Sequence, residues 1–151
     1  MFKILVVCTA NICRSPAAQH FLQQRLSGRD VVVESAGTLA IDGNPADATI
    51  RQMMGERGYL DIESHRSRAL MPSHLKQYDL VLCMAHDHIE RAQRLSPYAS
   101  NKTRLFGHWD GQSEVDDPVG RSDATYAKSL DIMADMADQW VEKMLMMGMV
   151  K

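Results

Sequence analysis

An uninterrupted apolar run at residues 4–8 is followed by a polar loop and a helical pattern, and this order constrains the fold more than any other feature. A short apolar run bounded by polar residues predicts a strand that is buried on both faces. From Pro16 onward, apolar residues recur at positions 17, 18, 21, 22 and 26, and proline is favoured in the first turn of a helix. The chain is therefore expected to begin as strand, loop and helix.

The rest of the chain repeats this alternation. We predict further strands at residues 31–37, 78–83 and 103–106, and helices at residues 45–57 and 86–95. Residues 107–121 are rich in Gly, Asp and Pro and lack a period, so they predict a loop, and a loop this long is usually functional. Ser122 can then cap a final helix whose apolar residues are spaced by four and three positions.

The alternation of strands and helices predicts an α/β fold. We expect residues 1–151 to form a single domain, with a four-stranded parallel sheet and helices on both of its faces. In such sheets ligands bind beyond the carboxyl ends of the strands. Cys8 lies at the end of the first predicted strand, which makes the loop that follows it the first place to look for a site.

Composition excludes several classes of protein. A net charge of -2 argues against a nucleic-acid binder that relies on a basic face. No segment approaches the ~18 continuous apolar residues of a membrane span, so we expect no membrane insertion. The three cysteines, Cys8, Cys13 and Cys83, are few and odd in number, and the N-terminus lacks a signal-peptide pattern. These features favour the reducing cytoplasm, where cysteines are more often catalytic than structural.

The loop between the first strand and the first helix carries the pattern of an anion site. Successive backbone N–H groups and the positive end of a helix converge there, and phosphate is the expected guest. The loop has neither the glycines nor the lysine of a Walker sequence. It has a cysteine, five intervening residues and an arginine, whose planar fork can hold two phosphate oxygens. The predicted phosphate-binding residues are Thr9, Ala10, Asn11, Ile12, Cys13, Arg14 and Ser15.

Cys8 is the predicted nucleophile of this loop. Helix N-termini and neighbouring cations stabilise thiolates, so we expect Cys8 to be deprotonated near neutral pH and Ser15 to donate a hydrogen bond to its sulfur. A thiolate beneath a phosphoryl group can attack it and form a cysteinyl-phosphate. Asp117, followed by Pro118 in the 107–121 loop, is the candidate acid for the leaving oxygen and base for the attacking water. Cys13 is expected to trap an oxidised Cys8 as a disulfide.

Seven segments resemble one known family over essentially the whole chain: ILVVCTANICRSP, VESAG, GNPAD, SHRSRAL, YDLVLCM, LFGHWDG and DDPVGRS. The chain is similar to the low-molecular-weight protein tyrosine phosphatases. The resemblance implies catalytic roles for Cys8, Arg14 and Asp117, and a supporting polar network of Asn11, Ser15, Ser35 and His65.

The resemblance also bears on partners. The LFGHWD segment is similar to bacterial members that are paired with tyrosine kinases of exopolysaccharide or capsule assembly. A phosphotyrosine protein, with such a kinase as one candidate, is the implied substrate. We expect a monomer that needs no cofactor and no metal.

Two positions differ from the residues usual in the family, and a third distinguishes between its branches. Ala10 replaces a usual glycine, so either the backbone there avoids positive φ or it is strained. Val119 replaces the aromatic residue that usually follows Asp-Pro, and Leu39 and Ile41 offer an alternative aliphatic wall. Ile12 stands where a phosphoarginine-cleaving branch carries threonine, which favours phosphotyrosine.

Three other interpretations compete with a phosphatase. Thioredoxin-coupled arsenate reductases share the cysteine and arginine spacing, and Cys83 matches one of their additional cysteines, but Ile89 and Glu90 stand where the other is expected. A non-catalytic phosphoanion-binding module would need neither Cys8 nor Asp117. A zinc site built on the cysteines and the histidines at 86 and 88 is disfavoured, because a spacing of two directs helical side chains to different faces; those histidines are expected to form a solvated helix start.

Overall fold

The computed structural model describes residues 1–151 and contains one parallel sheet with the strand order β2-β1-β3-β4. Its strands are β1 (Phe2–Cys8), β2 (Val31–Gly37), β3 (Leu80–Cys83) and β4 (Thr103–Leu105). All three neighbouring pairs run parallel, and Cys8 lies opposite Gly37 at the carboxyl end of β1. The predicted four-stranded parallel sheet is confirmed.

Five α-helices accompany the sheet: α1 (Arg14–Arg25), α2 (Ala48–Glu56), α3 (Pro72–Gln77), α4 (His86–Leu95) and α5 (Asp123–Met146). The last helix begins where the sequence predicts, because the Ser122 hydroxyl accepts a hydrogen bond from the Thr125 N–H at 3.2 Å. None of these helices combines the length and the apolar character needed to cross a membrane.

The two faces of the sheet can be read from the alternation along β1. Ile4, Val6 and Cys8 belong to a core shared with α1, α2 and α5, whereas Leu5 and Val7 pack in a second core with residues of α3 and α4. Successive side chains of a strand point to opposite faces. The helices therefore cover both faces, as predicted. The loop after Cys8 lies on the face of the sheet that α1 covers.

Several predicted boundaries differ from the observed ones. The helix predicted at 45–57 spans Ala48–Glu56, because Asp47 caps it by accepting from the N–H groups of residues 49 and 50. Helix α3 and two 3-10 helices, Leu60–Ser64 and Pro97–Lys102, were not predicted. They are too short to show a helical period. Residues 107–121 contain no helix or strand, in agreement with the predicted loop.

Candidate active site

The loop of residues 8–15 leaves its backbone donors free. No N–H group of residues 9–15 donates to another group of the protein, because the first backbone bond of α1 runs from the Ala17 N–H to the Cys13 carbonyl. Unpaired amides at the start of a helix form an anion-binding concavity. The 8–15 loop, which the sequence predicts to bind phosphate, therefore has unpaired amides at the start of a helix.

Cys8 sits at the floor of this loop with only 2% of its surface exposed. Its sulfur lies 3.0 Å from the Ser15 hydroxyl oxygen, and that oxygen accepts a hydrogen bond from the Asn11 side-chain amide at 2.7 Å. The Ser15 hydroxyl hydrogen is thus available to the sulfur.

The guanidinium of Arg14, the first residue of α1, joins the 8–15 loop to the 107–121 loop. Nη1 donates to the Val115 carbonyl at 2.8 Å and Nη2 donates to the Thr9 hydroxyl oxygen at 3.3 Å. Since arginine has five N–H donors, three remain for an anion. Arg14 is 7% exposed, so its charge acts in a partly desolvated site where Coulomb interactions are stronger than in water.

Asn11 is the residue that sets the shape of the loop. Its φ of 57° places it in the left-handed region, which asparagine tolerates better than most residues. Its side chain donates to Ser15 and, at 3.0 Å, to Ser35, while its Oδ1 accepts from the Arg68 backbone N–H at 3.0 Å. Asn11, which the resemblance places in a supporting polar network, thus makes four contacts, the last of which is with His65.

His65 and Ser35 both form hydrogen bonds with Asn11 of this loop. His65 Nε2 donates to the Asn11 carbonyl at 2.7 Å, and burial lowers the pKa of His65 below its usual value. The Ser35 hydroxyl accepts from Asn11 and donates to Gln19 Oε1 at 2.5 Å. Gln19 and Arg68 were missed by sequence reasoning; Arg68 contributes through its backbone N–H and through its side-chain Nε, which donates to the Ser35 carbonyl at 2.9 Å.

Ala10 is explained by the backbone. The loop residue with positive φ is Asn11 and not Ala10, so alanine at position 10 carries no left-handed strain. A different glycine is required nearby: a Cβ at Gly37 would lie 2.4 Å from the Thr9 carbonyl oxygen and 2.9 Å from the Asn11 nitrogen. Gly37, which the sequence reading left without a role, allows β2 to approach the 8–15 loop closely.

A small pocket opens above Cys8. It is lined by Cys8, Ala10, Ile12, Cys13, Arg14, Asp117 and Val119. Asp117 thus lines the same pocket as the sulfur, whereas Asp116 does not; both aspartates line a separate depression on the α5 side of the 107–121 loop. Asp117 Oδ1 also accepts from the Val119 N–H at 3.1 Å, which orients the carboxylate.

The predicted aliphatic wall is only partly present. Val119 lines the pocket together with Ala10 and Ile12, but Leu39 and Ile41 do not. These two side chains are 65% and 75% exposed. The prediction that they replace an aromatic wall is wrong for the pocket itself, because the segment that carries them points them into solvent.

His88 contradicts the expected solvated helix start. His86 is exposed, as predicted, but His88 is 1% exposed and bonds to the Thr9 hydroxyl at 2.9 Å. The two histidines do point to different sides of α4, and no group of three or more His, Cys, Asp or Glu residues is placed to hold a metal ion.

The two other cysteines differ from Cys8 in their surroundings. Burial, reinforced by the neighbouring Cys8 and Asp117 charges, raises the pKa of the Cys13 thiol well above its usual range. Burial does the same to the pKa of Cys83, which is fully buried at the end of β3. Both are therefore thiols at neutral pH, and all three cysteines are free.

Comparison with known proteins gives a consistent result. The profile of the family described as low molecular weight phosphotyrosine protein phosphatase matches residues 3–147. The low molecular weight protein-tyrosine-phosphatase Wzb of Escherichia coli is 39% identical over 140 residues, which is 93% of each chain. Wzb of Vibrio vulnificus, solved in complex with benzylphosphonate, is 36% identical with a TM-score of 0.87, covering 94% of this chain and 98% of that one.

The same fold also occurs in a phosphatase of another specificity. The YwlE arginine phosphatase of Geobacillus stearothermophilus is 30% identical, with a TM-score of 0.89 and coverage of 99% of this chain and 96% of that one. The backbone is thus shared by enzymes that are named for different phosphorylated side chains.

Proposed function

The chain belongs to the low molecular weight phosphotyrosine protein phosphatase family and is a protein-tyrosine phosphatase, and we propose that Cys8, Arg14 and Asp117 carry its chemistry. The observation that supports these roles most strongly is that a buried cysteine, a loop whose backbone N–H groups are unpaired, and one carboxylate border one small pocket. A non-catalytic phosphoanion site would not need a thiol and a carboxylate that face each other across the anion.

The reaction divides into two displacements. The Cys8 thiolate attacks phosphorus, the bond from phosphorus to the tyrosine oxygen breaks, and Asp117 gives its proton to that oxygen. A water molecule then attacks the cysteinyl-phosphate, Asp117 takes the water's proton, and the bond between sulfur and phosphorus breaks to release phosphate. The free amides of residues 9–15 and the three remaining N–H groups of Arg14 stabilise the phosphoryl oxygens in both steps.

The pocket composition supports phosphotyrosine as the preferred substrate. Ala10, Ile12 and Val119 present small and aliphatic surfaces to the leaving group, and a phenol, with a pKa of about 10, leaves more easily than an aliphatic alcohol. The resemblance of the LFGHWD segment to kinase-paired members supports a tyrosine kinase of exopolysaccharide or capsule assembly as the partner. We further propose that residues 1–151 act as a single monomeric domain in the cytoplasm.

Three peptides of one sequence, phosphorylated on tyrosine, serine or arginine at the same position, test this specificity. We expect kcat/KM for the phosphotyrosine peptide to exceed that for the phosphoserine peptide by roughly 10²-fold or more, because the phenol demands less of the general acid. The measurement is phosphate release under identical conditions. A preference for the phosphoarginine peptide would assign the chain to the other specificity of this fold.

Oxidation gives a separate prediction for Cys13. Hydrogen peroxide converts the Cys8 thiolate to a sulfenic acid, and attack by the Cys13 sulfur then releases water and forms a disulfide. Peroxide inactivation of the wild type should be fully reversed by a dithiol, whereas Cys13→Ser should lose activity irreversibly as Cys8 is oxidised further. Recovery that is unchanged in Cys13→Ser would contradict a protective role for this cysteine, and Cys83→Ala serves as the matched control.

A further inference from the structure

His88 makes two hydrogen bonds that fix the position of its hydrogen. Nδ1 lies 3.0 Å from the Ala85 backbone N–H, and Nε2 lies 2.9 Å from the Thr9 hydroxyl oxygen. Because a backbone N–H can only donate, Nδ1 is the acceptor, and the neutral ring carries its hydrogen on Nε2. His88 therefore donates to Thr9.

The Thr9 hydroxyl connects His88 to Arg14. Its oxygen accepts from His88 Nε2 and from Arg14 Nη2, at 2.9 and 3.3 Å. A hydroxyl oxygen has two acceptor positions, and these two donors occupy both. The bond from His88 thus fixes the rotamer of Thr9 with its oxygen toward the guanidinium, whose other end is held by the Val115 carbonyl.

We propose that His88 is a positioning residue of the active site, which orients the Arg14 guanidinium for phosphoryl binding through the Thr9 hydroxyl. This inference rests on the proposed role of Arg14 as the phosphate clamp. It assigns a function to a buried histidine in the first turn of α4 that makes no contact with the substrate pocket. Small errors in the orientation of a bidentate arginine are costly, because its planar fork must match the phosphate oxygens.

The same contacts make the positioning of Arg14 by His88 dependent on pH. Burial lowers the pKa of His88 below its usual 6.5, with the charges of Asp87, Arg14, Glu114 and Asp117 as its neighbours. At neutral pH the ring is therefore uncharged and both bonds are made. A proton on Nδ1 would face the Ala85 N–H, so that bond would be lost and a second cation would stand beside Arg14.

The effect on stability has a definite sign. Because the folded pKa of His88 is depressed, the unfolded chain takes up the proton first as the pH falls. The stability contributed by neutral His88 is complete above about pH 6.5 and is lost as the pH decreases toward and through the folded pKa. Phosphate affinity is a property of the folded chain, so it should decline only as the pH falls through the folded pKa of His88, below the point at which stability begins to fall.

Two substitutions separate positioning from simple structural support. In His88→Gln the side-chain amide can reach the place of Nε2 and still donate to Thr9, but the bond from Ala85 is lost. In His88→Asn the amide oxygen can take the place of Nδ1 and still accept from Ala85, but Thr9 loses its donor. Exposed His86→Asn on the same helix is the matched control.

We expect His88→Asn to reduce both the affinity for inorganic phosphate and kcat/KM for an aryl phosphate by roughly tenfold, about 1.4 kcal/mol. His88→Gln should stay within about threefold of wild type and His86→Asn should be unchanged. The unfolding temperatures of His88→Gln and His88→Asn should follow the opposite order to their phosphate affinities. His88→Gln should unfold at the lower temperature, because it loses the bond from the Ala85 N–H. In His88→Gln the decline of phosphate affinity below pH 6.5 should also become shallower.

Thr9→Val completes the test. If His88 acts through Thr9, Thr9→Val alone costs about as much phosphate affinity as His88→Asn, and combining them adds little. Wild-type phosphate affinity in His88→Asn, or losses that multiply in the double variant, would overturn the inference. Phosphate affinity is measured without turnover, so a wild type that binds phosphate but does not hydrolyse an aryl phosphate would contradict the proposed function and leave the test of His88 intact.

Discussion

Cys8→Ser should abolish hydrolysis of an aryl phosphate, with a loss of at least about 10⁴-fold, while binding of inorganic phosphate stays within a few-fold of wild type. A serine hydroxyl keeps its proton near neutral pH, and its contact in this loop, the Ser15 hydroxyl, is not a base. Asp117 must itself be protonated to act as the acid of the first step, so it does not deprotonate the serine. The amides of residues 9–15 and the Arg14 guanidinium are untouched by the change. Turnover is followed by phenol release, and binding by calorimetry with phosphate.

Cys83→Ala is the control for this substitution, because Cys83 is buried at the end of the neighbouring strand β3 and has no part in the proposed reaction. It should retain turnover. Substantial activity in Cys8→Ser would remove Cys8 from the nucleophilic role. Loss of phosphate binding in Cys8→Ser would instead show that the sulfur is needed to shape the loop.

Asp117→Asn should slow the hydrolysis of phenyl phosphate by roughly 10²–10⁴-fold, because the phenolate would then leave without a proton. An aryl phosphate with a strongly acidic phenol should lose far less in its first step, since its leaving group needs little protonation. The comparison is made on the rate of phenol release in the first turnover. Asp116→Asn is the matched control, since Asp116 does not line the pocket that holds Cys8.

The two leaving groups together decide the role of Asp117. Equal losses on both substrates would remove it from the acid role and point to a part in binding or loop shape. A larger loss in Asp116→Asn than in Asp117→Asn would transfer the role to the neighbouring carboxylate.

The parts of the site that were predicted depend on local sequence. The apolar run of β1, the spacing between Cys8 and Arg14, and Pro16 at the start of α1 specify a strand, an anion loop and a helix within a few residues of one another. Asp117 was proposed from its place in a long loop, and only the fold brings it to the pocket of Cys8. Local pattern predicted the proposed nucleophile, and tertiary structure places its proposed partner in the same pocket.

The parts that were missed depend on contacts distant in sequence. Gly37 matters because of the atoms that a side chain would meet, and Arg68 because its backbone N–H bonds to Asn11 and its Nε bonds to the Ser35 carbonyl. His88 was assigned to solvent from its place in a charged helix start, yet α4 turns it inward toward Thr9. Ala10 drew attention as a departure from the family, whereas the left-handed residue is the asparagine that follows it.

The most direct test of the chemistry is to trap the intermediate in Asp117→Asn. With a substrate that has a strongly acidic phenol, formation of cysteinyl-phosphate should be fast and its hydrolysis slow, because the base for the attacking water is missing. Rapid quenching and mass spectrometry should find one phosphoryl group per enzyme on the peptide that contains Cys8, together with a stoichiometric burst of phenol. Turnover without a burst, or a phosphoryl group on any other residue, would contradict covalent catalysis by Cys8.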